Sequence, residues 1–293
     1  MITLLDGGMG QELLARSGAE PTALWATQIM MDRPDLVRGI HADYFAAGAE
    51  IATANTYALH RDRLAPHGIE DRFEDLHLTA LDIARAARDA HGAGRVAGAL
   101  GPLMWSYTAK GAPPAPEAAR LYAEICEIQA PHVDLWIAET IASLDQARGV
   151  LMGATGRGLP VWLAVTVDDA DGARLRDGDP VAGLLDLAAE LRPDALLLNC
   201  SSPEAITAGL AALAGAPTPI GAYANGFVEI APAFLRKGAT LQELSARQDL
   251  SPTVYADHAA DWIARGATIV GGCCEVGPAH IAELSRRFMR AAA

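Results

Sequence analysis

The 293-residue sequence contains few cysteines and few basic residues, and each shortage excludes a class of protein. Four cysteines are too few for a secreted scaffold held by disulfides, so we expect a reducing, cytoplasmic setting in which thiols bind metal or do chemistry. The 23 Lys and Arg residues against 36 Asp and Glu give a formal net charge of −13. Nucleic acids and anionic membrane surfaces attract basic faces, so we expect neither as a partner.

Long hydrophobic runs are absent as well. No unbroken apolar stretch approaches the ~20 residues that span a bilayer. The opening MITLLDGGMG also lacks the basic region and long apolar core of a signal peptide. Hydrophobic residues nevertheless make up 51% of the chain, which is enough to bury a large core. We therefore expect one domain that spans residues 1–293.

Eight short apolar segments of β-strand type alternate with segments of helical pattern. The strand-like segments are ITLL, AEIATA, RVAGAL, VDLWIA, PVWLAVTV, DALLLN, PIGAYA and ATIVGG. They are apolar almost throughout, which is typical of parallel strands buried on both faces. Four helices have a proline at a plausible first position: Pro34, Pro203, Pro252 and Pro278. The alternation predicts an α/β protein with a (β/α)8 TIM barrel, and a doubly wound open sheet is the alternative.

Polar and reactive residues follow almost every predicted strand. In a (β/α)8 barrel the active site lies at the C-terminal ends of the strands, so these residues would share one rim. They are Asp6, Asn55, Thr56, Tyr57, Trp105, Tyr107, Glu139, Thr140, Asn199, Cys200, Tyr223, Asn225, Cys273 and Cys274. Their clustering at one end of the barrel favours a functional role.

The adjacent cysteines Cys273 and Cys274 are poorly placed for a disulfide with each other. A trans peptide holds their Cα atoms ~3.8 Å apart, which is closer than a relaxed disulfide allows. Together with Cys200 on the same rim they would offer three thiolates to a soft or borderline cation such as zinc, and leave a fourth position open, as in catalytic zinc sites. Buried free cysteines are the competing interpretation, and we apply it to Cys126, which lies on an apolar helix face.

These residues and motifs resemble those of the homocysteine S-methyltransferases. That group of zinc barrels includes betaine-dependent and S-methylmethionine-dependent enzymes and the homocysteine-binding part of cobalamin-dependent methionine synthase. The resemblance runs nearly end to end through LLDGGMGQELLARSG, PDLVRGIHADYFAAGAEIATANTY, GALGP, ETIASLDQA, LLLNCSSPEAI and IVGGCCEVGPAHI. Its most specific feature is an NC after one strand combined with a GGCC after a later one.

The resemblance implies a role for each candidate residue. Zinc would bind to Cys200, Cys273 and Cys274. The amino acid part of homocysteine would lie near Asp6, Gly7, Gly8 and Glu139, and we include Asn199 among the substrate-binding residues. The methyl donor would face Trp25 and Tyr57.

The implied reaction moves a methyl group from a small cationic donor to the thiol of homocysteine and gives methionine. Zinc would deprotonate the thiol, and an aromatic ring would hold the donor cation. The sequence contains no module for cobalamin or folate, so we expect a donor that is free in solution, S-methylmethionine or S-adenosylmethionine. The alternatives are betaine, a separate methyl-corrinoid protein, or a zinc-binding barrel without catalytic activity.

Several of these residues also have a purely structural interpretation. Asp6 could cap a helix that begins near Gly10, and Trp25 and Tyr57 could be ordinary rim packing. The acid-rich stretch DDADGARLRDGD, residues 168–179, lacks the order of an EF-hand loop, so we interpret it as a solvated loop and not as a calcium site. Near the substrate mouth, Gln11 and the stretch YANGF depart from the family pattern.

Overall fold

The computed structural model describes residues 1–18, 20, 22, 24, 26–235, 239–240 and 243–289. Within these residues all strands belong to one eight-stranded sheet. They are β1 Thr3–Leu4, β2 Ile51–Thr53, β3 Arg95–Leu100, β4 Leu135–Ile141, β5 Val161–Val165, β6 Ala195–Asn199, β7 Ile220–Tyr223 and β8 Ala267–Val270. Each lies within a segment that the apolar pattern predicts as a strand, except that β4 continues past its segment to Ile141.

The sheet closes into a barrel. Neighbouring strands pair in parallel in the order β1-β8-β7-β6-β5-β4-β3-β2. A parallel bridge between Leu5 and Ile51 joins the end of β1 to β2. The N–H of Glu50 also donates to the Leu4 carbonyl at 2.8 Å. The (β/α)8 barrel is therefore confirmed, and the open doubly wound alternative is wrong.

Helices connect the strands and cover the outside of the barrel. The α-helices in the described ranges are α1 Met9–Ser17, α2 Ala26–Asp32, α3 Pro34–Ala46, α4 Arg61–Leu64, α5 Phe73–His91, α6 Ala115–Gln129, α7 Leu144–Ala154, α8 Gly183–Leu191, α9 Pro203–Gly209, α10 Pro252–Ala264 and α11 Pro278–Phe288. Parallel strands need such crossover connections, because the chain must return to the end of the sheet at which the next strand begins, and a tight turn cannot do this. None of these helices combines the length and apolar composition that crossing a membrane requires.

The predicted helix starts are confirmed by the capping geometry. Pro34, Pro203, Pro252 and Pro278 each occupy the first turn of their helix, where a missing N–H costs nothing. The side chain of Ser202 accepts the N–H of Ala205, and that of Ser251 accepts the N–H of Val254. Such caps satisfy donors that have no partner inside the helix and contribute about 1 kcal/mol each.

Two apolar cores fix where a pocket can form. The larger core lies between the strands and the helices, and it contains the wholly buried Cys126, as predicted. The smaller core fills the inside of the barrel with the side chains of Leu5, Ile51, Ala97, Leu135, Ile137, Trp162, Ala164, Ala195, Leu197, Tyr223 and Ile269. Because the interior is packed, a binding cavity can open only at the end of the barrel.

The acid-rich stretch 168–179 folds as a small hairpin within the β5–α8 connection. Val167 pairs with Leu175, and Arg174 with Pro180, in antiparallel bridges. Oδ1 of Asp168 accepts the N–H groups of Ala170 and Asp171, at 2.8 and 2.9 Å. Asp169 and Asp179 accept the N–H groups of Ser202 and Leu144, each at 2.8 Å. The acids of this stretch therefore bond different segments of the chain and do not converge as calcium ligands would.

Candidate active site at the C-terminal rim of the barrel

A solvent-open cavity of about 920 Å³ lies at the C-terminal end of the barrel. This volume includes the space that opens to solvent at the mouth of the cavity. Among the predicted site residues, those that line it are Asp6, Gly7, Gly8, Tyr57, Glu139, Cys200, Cys273 and Cys274. The structure therefore brings together residues from the loops after β1, β2, β4, β6 and β8.

The three cysteine sulfurs form one cluster, with all three Sγ atoms within 4.8 Å of one another. Cys200 directly follows β6, and its N–H donates to the Tyr223 carbonyl at 3.0 Å. Cys273 follows β8, and its N–H donates to the Ala224 carbonyl at 2.9 Å. The ends of β6, β7 and β8 thus hold the thiols in place through main-chain hydrogen bonds.

Cys200 and Cys273 are joined in a disulfide, with their Cα atoms 5.5 Å apart. The strained bridge between the adjacent Cys273 and Cys274 is not formed, and Cys274 is a free thiol. Two cysteines far apart in sequence meet at the distance that a disulfide requires. Sγ of Cys274 lies 3.7 Å from Sγ of Cys200. In the reduced form, three thiols from two loops would offer the donor set that zinc prefers.

Strained backbone is concentrated at this rim. Tyr107, Thr140 and Cys200 have φ values of 63°, 62° and 49°, in the left-handed region that side chains avoid. Each such residue costs about 1–3 kcal/mol, and the surrounding structure must offset the cost. All three line the cavity. Strain that gathers in a pocket of this kind is typical of functional sites.

Two buried carboxylates face the cavity. The N–H of Thr53 donates to Oδ2 of Asp6 at 2.6 Å, and its hydroxyl donates to Oδ1 at 2.9 Å. Burial nevertheless raises the pKa of Asp6 to about 7. Burial, with a smaller contribution from the nearby Asp6, also raises the pKa of Glu139 to about 7, against a 3.2 Å hydrogen bond from the Tyr223 hydroxyl. Among the described residues, no basic side chain contributes to the pKa shift of Asp6 or Glu139. Both carboxylates can therefore bind a cationic ligand.

Asp6 does not cap the first helix. The residue before α1 is Gly8, and no side chain caps this helix. Gly7 and Gly8 instead let the β1 loop approach the β8 loop, because a Cβ on Gly8 would lie 2.7 Å from the Cys273 carbonyl oxygen. The first residues of α1 line the cavity, so its N-terminal N–H groups can attract an anion such as a carboxylate.

The remaining predicted site residues have different surroundings. Tyr57 shares a 2.8 Å hydrogen bond with the hydroxyl of Ser106, and the guanidinium of Arg63 lies 5.5 Å from its ring centroid. Asn199 is fully buried beneath the cavity. Its Oδ1 accepts the N–H of Thr140 at 3.0 Å, so it supports the residue next to Glu139. Trp25 lies outside the described residues.

Three pocket residues were not assigned a role from the sequence. The Tyr107 hydroxyl lies 3.1 Å from Sγ of Cys200, and Tyr223 donates to Glu139. Gln11 lies beside Cys274, where burial raises the pKa of the Cys274 thiol to about 12 and the Gln11 amide opposes this rise. The positions of the two tyrosines after β3 and at the end of β7 indicated the rim, but the atoms that they contact depend on loop geometry.

Comparisons with known proteins point to one family. A family described as homocysteine S-methyltransferase matches residues 3–288. A homocysteine S-methyltransferase of Escherichia coli K12 is 29% identical, with 98% of this chain and 95% of that protein covered. One from Bacillus subtilis is 27% identical, with 97% and 93% covered.

A solved structure shows the same fold. The metallated form of the homocysteine methyltransferase MmuM from Escherichia coli superimposes with a TM-score of 0.82 and 27% identity, covering 98% of this chain and 96% of that one. An oxidised form of the same enzyme also has a TM-score of 0.82. With the sequence match running from residue 3 to residue 288, the chain belongs to the homocysteine S-methyltransferase family.

Proposed function

We propose that this protein transfers a methyl group from a free sulfonium donor, S-methylmethionine or S-adenosylmethionine, to the thiol of homocysteine. The observation that carries the proposal is the convergence of three cysteine sulfurs and two buried carboxylates in one cavity. One set suits a thiol-activating metal, and the other suits the ammonium group of an amino acid. The names of the Escherichia coli and Bacillus subtilis relatives support methyl transfer to homocysteine.

The carboxylates of Asp6 and Glu139 would hold the ammonium group of homocysteine. A buried carboxylate whose pKa is raised to about 7 gains most from a cation, because the cation restores the ionised form that burial disfavours. Each charge-assisted hydrogen bond would contribute about 1.5–3 kcal/mol. The first residues of α1 line the same cavity, and their N–H groups would donate hydrogen bonds to the substrate carboxylate.

Cys200, Cys273 and Cys274 would hold the metal, and we propose zinc because thiolates are its preferred ligands. Zinc bound there would lower the pKa of the homocysteine thiol and keep the sulfur nucleophilic as a thiolate. The thiols must first be reduced, because Cys200 and Cys273 are paired. The metallated form of MmuM supports a metal in this fold.

The donor would enter the cavity from its open side, and the apolar and aromatic residues that line the cavity include Met9, Ala26, Ala54, Tyr57 and Ala58. There the homocysteine sulfur forms a bond to the methyl carbon as the donor's sulfur–methyl bond breaks. The electron pair of that bond stays on the donor sulfur, which leaves as a neutral thioether. Tyr57 would face the sulfonium charge, and we propose the same for Trp25 on the resemblance alone.

The test is a methionine assay on the reduced, zinc-loaded protein with homocysteine and one donor at a time. Methionine formed with either sulfonium compound supports the proposal. Methionine formed only with betaine or with a methyl-corrinoid protein would replace the donor assignment, and bound zinc without turnover of any donor would favour a non-catalytic barrel. Cys126→Ala is the matched control for the cysteine variants, since Cys126 is buried in the outer core away from the cavity.

A further inference from the structure

The hydroxyl of Tyr107 lies 3.1 Å from Sγ of Cys200. Tyr107 is 5% exposed and Cys200 is 2% exposed, so water has little access to this contact. Either group can donate while Cys200 is a thiol. Once the thiol has lost its proton to bind a metal, only the hydroxyl can donate, and the contact becomes a hydrogen bond to a charged acceptor.

Three features hold the Tyr107 ring in this position. Its backbone has a φ of 63°, in a conformation that a non-glycine residue keeps only when its surroundings impose it. The ring of Phe234 packs edge-on with its centroid 6.0 Å away. The guanidinium of Arg176 lies 5.2 Å from the Tyr107 ring centroid. The hydroxyl therefore has little freedom to turn away from the sulfur.

Arg176 belongs to the acid-rich hairpin 168–179. Its side chain is 11% exposed and forms an ion pair with Asp169 at 2.8 Å. Its Nε donates to the hydroxyl of Thr166 at 2.9 Å, and that hydroxyl donates to the main-chain carbonyl of Cys200 at 3.3 Å. The hairpin is thereby tied both to the Tyr107 ring and to the backbone of the cysteine.

We propose that Tyr107 is a positioning residue that donates a hydrogen bond to the Cys200 thiolate in the metal-bound protein, and that Arg176 holds its ring in place. This inference rests on the proposed function, because it requires a metal on Cys200. A hydrogen bond to a metal-binding thiolate stabilises its charge and orients the ligand. It also lowers the energy of the sulfur lone pairs, so the thiolate gives less electron density to the metal. The acid-rich hairpin then acts as a support for the thiol cluster.

The experiment compares the reduced wild-type protein with Tyr107→Phe and Tyr122→Phe. Tyr122 is the matched control, because its buried hydroxyl bonds the Gly101 carbonyl and the N–H of Leu103 on the same loop, and no described sulfur. Zinc affinity is measured by competition with a chromophoric chelator. Cobalt(II) replaces zinc for absorption spectra, in which the sulfur-to-cobalt charge-transfer band reports on the thiolates. Melting temperatures show whether each variant is folded.

Tyr107→Phe is expected to bind zinc about 10- to 100-fold more weakly, and its charge-transfer band should move to lower energy. Tyr122→Phe should change neither, although it removes hydrogen bonds from the same loop. Arg176→Gln serves as a second variant that keeps the Tyr107 hydroxyl, and it should give a smaller change of the same sign. Wild-type zinc affinity and an unmoved band in Tyr107→Phe would overturn the inference alone. A wild-type protein that binds neither metal would overturn the proposed function and this inference with it.

Discussion

Replacing Glu139 with glutamine should make the ligand-free protein more stable and make homocysteine binding weaker. Burial raises the pKa of Glu139 from its ordinary value of 4.5 to about 7. Between these two pH values the folded protein holds a proton that the unfolded chain has lost, so the free energy of unfolding falls as the pH rises. At about 1.36 kcal/mol for each pKa unit, the loss reaches about 3 kcal/mol above pH 7.

A glutamine side chain at this position would keep the shape of the glutamate and could still accept the Tyr223 hydroxyl, but it has no charge to desolvate. We therefore expect Glu139→Gln to unfold at a temperature about 5 °C higher than wild type at pH 8, and at nearly the same temperature at pH 4.5. Thermal unfolding at both pH values, with the metal state matched, measures this difference. Glu117→Gln is the control, because Glu117 is an exposed carboxylate on α6.

Homocysteine affinity should change in the opposite direction. Loss of a charge-assisted hydrogen bond to the substrate ammonium costs about 1.5–3 kcal/mol, which corresponds to about 10- to 100-fold in the dissociation constant. Calorimetric titration of the reduced, zinc-loaded protein at pH 8 provides the value. An unaltered homocysteine affinity would refute the role of Glu139, and equal stability of variant and wild type at pH 8 would refute the desolvation argument.

Four further results are expected. Cys273→Ser should lose bound zinc by metal analysis while Cys126→Ala keeps it, and equal zinc content would remove the ligand assignment. Mild oxidation should pair Cys200 with Cys273 and release zinc to a chelator, and a reductant should restore binding. Tyr57→Leu should raise the donor KM about tenfold or more and spare homocysteine affinity, whereas an unchanged donor KM would contradict the cation–π role. Gly8→Ala should weaken homocysteine binding, because the alanine Cβ would lie only 2.7 Å from the Cys273 carbonyl oxygen. Wild-type homocysteine affinity in this variant would show that the loop can move to accommodate the methyl group.

The barrel could be predicted because it depends on patterns that the chain carries locally. Parallel strands buried on both faces leave continuous apolar runs, and helix starts leave prolines and serines at fixed positions, as at Pro203 after Ser202. The site followed from the fold, since residues after parallel strands must share a rim. The pocket lining confirms this for residues as distant in sequence as Asp6 and Cys274.

The contacts within the rim could not be predicted in the same way. Tyr107, Thr140 and Cys200 adopt left-handed backbone conformations that no local propensity favours, so their side-chain directions depend on the packing of neighbouring loops. The pairing of Cys200 with Cys273 has the same origin. A rule about adjacent cysteines says nothing about a third cysteine brought in by another strand. The sequence also allowed Asp6 to cap α1. The Asp6 carboxylate instead accepts hydrogen bonds from the N–H and the hydroxyl of Thr53 in β2.

The proposed ligands share one property, which is positive charge, and the cavity explains why. It gathers the sulfurs of Cys200, Cys273 and Cys274 and the carboxyl groups of Asp6 and Glu139 around one space. Burial raises the pKa of Asp6, Glu139 and Cys274, because it disfavours the charged form of each carboxylate and the thiolate. A metal dication, an ammonium and a sulfonium would each supply positive charge that stabilises the ionised form of these groups. A neutral or anionic methyl donor would gain nothing from this field, so we expect the charge of the site to favour a cationic donor.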